Sequence, residues 1–157
     1  RSWLRLLNLP YSDFAPGSAQ QAPLAAGGMR LAPSICYEDA FGGAQRRLVG
    51  RSDLMVNVTN DAWFGHSPAR YQHLQISRMR AAESGRFLLR AGNDGVSAII
   101  GPRGELVGLA PEYQPAVLRG TVVPRDGLSP YTRVGNWAVV SLGLAAATAA
   151  WYRRRRR

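Results

Sequence analysis

Residues 53–65 read Asp53-Leu-Met-Val-Asn-Val-Thr59 followed by Asn60-Asp61-Ala62-Trp63-Phe64-Gly65. The first seven form a β-rich run of strand length, and the Asn-Asp to Gly segment that ends it must be a loop. Upstream, Met29 to Cys36 is a second short apolar run of strand character. Between the two, residues 38–51 carry acids at the front and arginines at the back, which favours a helix through its dipole, although Gly42 and Gly43 weaken it. Downstream, residues 67–85 place Tyr71, Leu74, Gln75, Arg78, Met79 and Ala82 at helical spacing, with Pro68 near the start and Gly85 at the end. Short strands are predicted at Phe87–Arg90, Val96–Ile100, Glu105–Leu109 and Ala116–Val123, with residues 101–104 as a turn. Strand, helix, strand, helix and then several strands describe a mixed α/β domain. Residues 8–28, rich in Pro, Gly, Ala, Ser and Gln, read as loop.

The chain has 157 residues, a mass of 17.1 kDa and a formal charge of +10. With 46% hydrophobic and 19% charged residues it is neither a disordered polycation nor a histone-like tail. All 20 basic residues are arginine, and Arg153 to Arg157 are five in a row, so much of the charge is local. A single cysteine, Cys36, excludes an intrachain disulfide and a disulfide-stapled secreted scaffold. The opening Arg1-Ser-Trp-Leu-Arg-Leu-Leu is no signal peptide, because its apolar stretch is short and no small-residue cleavage site follows. It reads as an interior point of a longer protein.

Residues 134–152 (VGNWAVVSLGLAAATAAWY) are uncharged, with Trp137 at one end and Trp151 and Tyr152 at the other. As a helix they would extend roughly 28 Å, close to the ~30 Å bilayer core, so one transmembrane helix is expected. The following arginines, residues 153–157, would form a cytoplasmic basic tail and leave residues 1–130 extracytoplasmic. Ser141, Gly143 and the run from Ala145 to Ala149 are small, which suits packing on partner membrane helices.

Chemistry has one obvious candidate. Cys36 ends an apolar run at a strand-to-helix turn, where free N–H groups lower a thiol pKa and stabilise an oxyanion. From position alone a small buried hydrophobe is the favoured reading. His66 and His73 with Cys36 and Asp61 match no Cys–His protease signature, and neither histidine belongs to a ligand-spaced pair, so no metal or cofactor is expected. Trp63 and Phe64, aromatics on a loop, suit either a lipid or ligand contact or packing on the core.

Several motifs occur in order: Ser34-Ile35-Cys36-Tyr37-Glu38, Asn57 to Gly65, Gln72-His73-Leu74-Gln75, Arg78 to Glu83, Arg86, Leu89 to Gly95 and Ser129 to Asn136. Together they resemble the apolipoprotein N-acyltransferases, membrane-embedded members of the nitrilase (carbon–nitrogen hydrolase) superfamily. The Cys-Tyr-Glu core indicates the superfamily, whereas the Asn-Asp-Ala-Trp-Phe-Gly loop is the more specific feature. The resemblance implies a Cys-Glu-Lys triad in an αββα sandwich on the periplasmic side of the bacterial inner membrane. Cys36 matches the nucleophile, Tyr37 and Glu38 match supporting positions on the oxyanion side, and Trp63, Phe64 and Asn60 fall in a loop bordering the acyl-chain entrance. It further implies a phospholipid acyl donor, an apolipoprotein acceptor, a thioester at Cys36, and no nucleic-acid partner.

The catalytic glutamate and lysine of such enzymes lie upstream of Arg1, and this sequence contains no lysine. It is therefore expected to be the C-terminal half of a nitrilase-like domain with one transmembrane helix after it, inactive without its N-terminal part. A nitrilase-superfamily amidase acting on a small amide and a non-catalytic membrane protein remain the alternatives.

Overall fold

A computed structural model describes residues 17, 18 and 20–156. The opening run and most of the N-terminal loop expected from the sequence lie outside the described residues. Six strands form one mixed sheet in sequential order: β1 (Leu24–Ala26), β2 (Met29–Ile35), β3 (Leu54–Asn60), β4 (Leu88–Asn93), β5 (Ala98–Ile100) and β6 (Leu106–Leu109). The central pairs β2–β3 and β3–β4 are parallel, and the remaining pairs are antiparallel.

Parallel neighbours require crossovers, which the helices supply. A 3-10 turn (Cys36–Ala40) and α1 (Gly42–Val49) connect β2 to β3, and a second 3-10 turn (Asp61–Phe64) and α2 (Ala69–Ser84) connect β3 to β4. The helix expected over residues 38–51 is thus split. Gly42 belongs where α1 approaches α2, since the guanidinium of Arg80 occupies the place a β-carbon would take. The 67–85 helix keeps its expected end: Gly85, at φ 63°, closes α2 with its N–H turned back to the carbonyls of Ala81 and Ala82.

The core lies between the helices and one face of the sheet. Ala32, Met55, Leu88, Ala98 and Ile100 from alternate strand positions meet Val49 of α1 and Leu74 and Ala81 of α2. On the opposite face Ile35 is 64% and Val58 48% exposed, so an apolar row stands open. Among the described residues the domain is therefore one helical layer on one sheet.

Two expectations need correction. Residues 116–123 form no strand; Leu118 lies beside Gly108 and Gly120 lies over Ile99, so the segment meets the sheet through side chains instead of ladder bonds. The expected transmembrane helix over residues 134–152 is interrupted. Pro130–Val134 forms the short helix α3, Gly135 at φ 60° and ψ −141° breaks the chain direction, and α4 starts only at Trp137. The 19 residues of α4 end in three arginines, so its 16 uncharged residues extend roughly 24 Å. Among the described residues, no helix is long and apolar enough to cross a membrane. Every described residue of α4 is exposed.

Candidate active site

Cys36 stands at the carboxyl end of β2, beside the end of β3, where open α/β sheets place their ligand sites. Its φ of 51° puts a side-chain-bearing residue in the left-handed region, a strained conformation that surrounding contacts must hold. The side chain is partly exposed. Glu38 braces the turn: its carboxylate accepts the Ile35 N–H at 2.7 Å. Tyr37 is exposed and meets Phe41 edge-on at 5.9 Å between ring centroids.

Beneath this turn lies a buried polar cluster. The Nδ2 of Asn57 donates to the carbonyl of Cys36 at 3.0 Å and to the Ser34 hydroxyl at 2.9 Å. His73 Nε2 faces the same carbonyl at 3.3 Å and Asp39 Oδ1 at 3.2 Å, while its Nδ1 faces Asp61 Oδ1 at 2.9 Å. Arg90 donates to Asp61, Asn57 and Ser77, each at 2.8 Å. Ser77 donates in turn to Asp39, and Thr59 donates to Asp61 at 2.8 Å. Hydrogen bonding to Asp39 raises the His73 pKa, against the opposing pull of burial and of Arg90.

The strand register explains how these groups meet. Ser34 pairs with Asn57, and Asn57 with Arg90, so one row across three parallel strands carries polar side chains on the helix-covered face. α2 brings His73 and Ser77, one turn apart, onto that row.

The aromatic loop adjoins the same cluster. Phe64 meets the His73 ring edge-on at 6.3 Å, and the Tyr37 ring lies 6.0 Å from it. Trp63 is 86% exposed and free of the core. Asn60 caps the loop, its Oδ1 accepting the Ala62 N–H at 3.2 Å and the Asn93 amide at 3.3 Å. Cys36, Tyr37 and Phe64 thus meet around His73, with Glu38 bracing the turn beside them and Trp63 standing off. A cleft of about 850 Å³ lies beside α1 and takes in Glu38 and Phe41 but not Cys36. Among the described residues no cluster of His, Cys, Asp or Glu is arranged to hold a metal ion.

Reading the sequence missed Asp39, Asn57, Ser77 and Arg90, and set aside Asp61 and His73. His73 does not play the protease-like part weighed for it. The hydrogen-bond contact it makes with Cys36 is to the main-chain carbonyl.

The carbon-nitrogen hydrolase family profile matches residues 10–126. Proteins named apolipoprotein N-acyltransferase from Azotobacter vinelandii and Pseudomonas paraeruginosa are 45% and 43% identical to this chain, over 100% and 96% of its length. The chain spans only 30% and 29% of those relatives. Among solved structures, a carbon-nitrogen hydrolase from Helicobacter pylori superposes with a TM-score of 0.54 at 16% identity, covering 62% of this chain and 41% of its own. An amidase from Nesterenkonia superposes at 0.52 with 23% identity, covering 82% and 49%. Both support the nitrilase-like α/β fold. With a family match over residues 10–126, most of its length, the chain belongs to the carbon-nitrogen hydrolase family.

Proposed function

We propose that this chain is the C-terminal part of an enzyme that moves a fatty acyl group from a membrane phospholipid to the N-terminal amine of the diacylglyceryl-cysteine of an apolipoprotein. The observation that carries the reading is Cys36, held at φ 51° beside the aromatic pair Tyr37 and Phe64, in a chain similar over its whole length to proteins of that name.

The chemistry is a two-step acyl transfer. The Cys36 thiolate attacks the ester carbonyl, the tetrahedral oxyanion collapses, and the lysophospholipid alkoxide leaves and takes up a proton. The acceptor amine then attacks the thioester, loses a proton to a base, and expels the Cys36 thiolate. The N–H of Tyr37 is placed to receive the oxyanion, Glu38 braces the turn, and Asn60 caps the loop that offers Trp63 and Phe64 to an acyl chain.

The general-base glutamate and the oxyanion-stabilising lysine of the triad come from outside these 157 residues, which contain no lysine. The open apolar row of Ile35 and Val58 is where the N-terminal part of the same domain would pack to complete an αββα sandwich. A bacterial inner-membrane location, with the sheet on the periplasmic side, belongs to the same reading. Its support is α4, with Trp137, Val139, Leu142 and Leu144 exposed and arginines at its end.

Intact-mass spectrometry of the complete enzyme after incubation with phospholipid tests the proposal. An acyl adduct on the Cys36 peptide that hydroxylamine removes is the expected result, and an unmodified Cys36 would overturn it.

A further inference from the structure

We infer that His73 and Asn57 are positioning residues that aim the main-chain N–H of Tyr37 at the reacting oxyanion by gripping the carbonyl of Cys36 from the protein interior. The inference rests on the acyl-transfer reading above and names residues that reading leaves without a role.

The argument begins with one peptide unit. The described residues contain no cis bond, so the carbonyl of Cys36 and the N–H of Tyr37 point in opposite directions from a planar group. The carbonyl faces inward, toward Asn57 Nδ2 at 3.0 Å and His73 Nε2 at 3.3 Å. The N–H therefore points away from Asn57 and His73. With Cys36 at φ 51°, this peptide has no local conformational preference to hold it. Turning it over would take the acceptor from one N–H of Asn57 and leave His73 Nε2 with Asp39 alone, which is costly.

Each gripping group is itself held in one orientation. The Oδ1 of Asn57 accepts from Arg90 at 2.8 Å, which fixes the amide with its NH2 end toward Cys36. The His73 ring meets acceptors on both edges: Asp61 at Nδ1, and Asp39 with the Cys36 carbonyl at Nε2. Donation from both nitrogens, which an imidazolium supplies, satisfies all three acceptors. Its charge and that of Arg90 balance the carboxylates of Asp39 and Asp61. Ser77 and Thr59 bind those carboxylates from α2 and β3, and the uncharged rings of Tyr37 and Phe64 complete the ring's surroundings. The raised pKa of His73 accords with this state. A buried ionic cluster is weak as a source of stability, and direction is what this one offers the Cys36 peptide.

Two reactions of the same sulfur separate aiming from structure. Alkylation of Cys36 by iodoacetamide needs the thiolate but forms no oxyanion; acylation by p-nitrophenyl acetate needs both. In the full-length enzyme carrying these residues, mass mapping of the Cys36 peptide reads both rates. His73→Ala and Asn57→Ala are expected to slow acylation by about 10²-fold, the scale of a lost oxyanion donor, with alkylation nearly unchanged. His73→Gln, which keeps a donor near the Nε2 position, is expected to recover most of that loss. In the unmutated enzyme the ratio of acylation to alkylation should fall as pH rises through the His73 titration, and in His73→Gln it should be flat.

Alkylation and acylation falling together, or acylation unaffected, would overturn the inference. A ratio independent of pH in the unmutated enzyme would also overturn it, with no substitution needed. Acylation from p-nitrophenyl acetate without any from phospholipid would defeat the lipid reading alone.

Discussion

The guanidinium of Arg90 donates to the carboxylate of Asp61 across 2.8 Å, and neither side chain has any solvent exposure. A strand and the loop after its neighbour are joined by this pair, and the pair cannot be relieved by water. Removing one partner of such a pair strands the other charge in the interior, which costs about 3–5 kcal/mol. Arg90→Ala should therefore lower the unfolding free energy by that order in urea titrations followed by tryptophan fluorescence. Arg90→Lys should recover only part, because one ammonium cannot reach Asp61, Asn57 and Ser77 together.

The strained turn gives a second test. A left-handed conformation costs a residue with a β-carbon about 1–3 kcal/mol, whereas glycine adopts it freely. Cys36→Gly should unfold at a temperature equal to or above that of Cys36→Ala, the reverse of an ordinary alanine-to-glycine change. Calorimetric melting of the two variants checks this.

The third concerns pH. The folded pKa of His73 lies above its ordinary value, so folding binds a proton that the unfolded ring holds less tightly. The stabilisation is fully present below about pH 6.5, the unfolded value, and is lost as pH rises through the raised folded pKa. Urea midpoints should fall across that window in the unmutated protein and fall less steeply in His73→Gln.

A fourth prediction concerns α4. A helix exposed on every side with an apolar surface gains free energy on meeting lipid. The protein should co-sediment with vesicles containing phosphatidylglycerol, and a chain ended after Asn136 should not. Retention of the shortened chain would place the lipid contact elsewhere, with exposed Trp63 the first residue to test.

Strands and helices were legible where local chemistry repeats. β3 is a β-branched run closed by an Asn-Asp loop, and α2 is bounded by Pro68 and Gly85. β1 was not, because Leu-Ala-Ala has little strand propensity. Its signal was the Gly27-Gly28 pair, both at positive φ, which turns β1 directly into β2. The reverse error at residues 116–123 has the same cause: propensity describes a willing segment but does not supply a partner.

The site divides similarly. Cys36 stood out through the Cys-Tyr-Glu motif of the resemblance, since its place after an apolar run suits a small buried hydrophobe as well. Asn57 and Arg90 sit inside apolar runs at alternate positions, and only the register that aligns Ser34, Asn57 and Arg90 makes them one group. A polar residue at the inward position of a strand was the available clue. It states that a partner is needed without saying which.

The break at Gly135 has a mechanical side. Arg46 of α1 donates to the carbonyls of Thr132 and Arg133 at 3.3 and 2.9 Å, and its guanidinium lies 3.2 Å from where a β-carbon on Gly135 would stand. The bend just before α4 is therefore bolted to the helix that follows the nucleophile turn. α4 thus leaves the domain from a step fixed to the crossover that begins at Cys36, and its root moves only as that crossover moves.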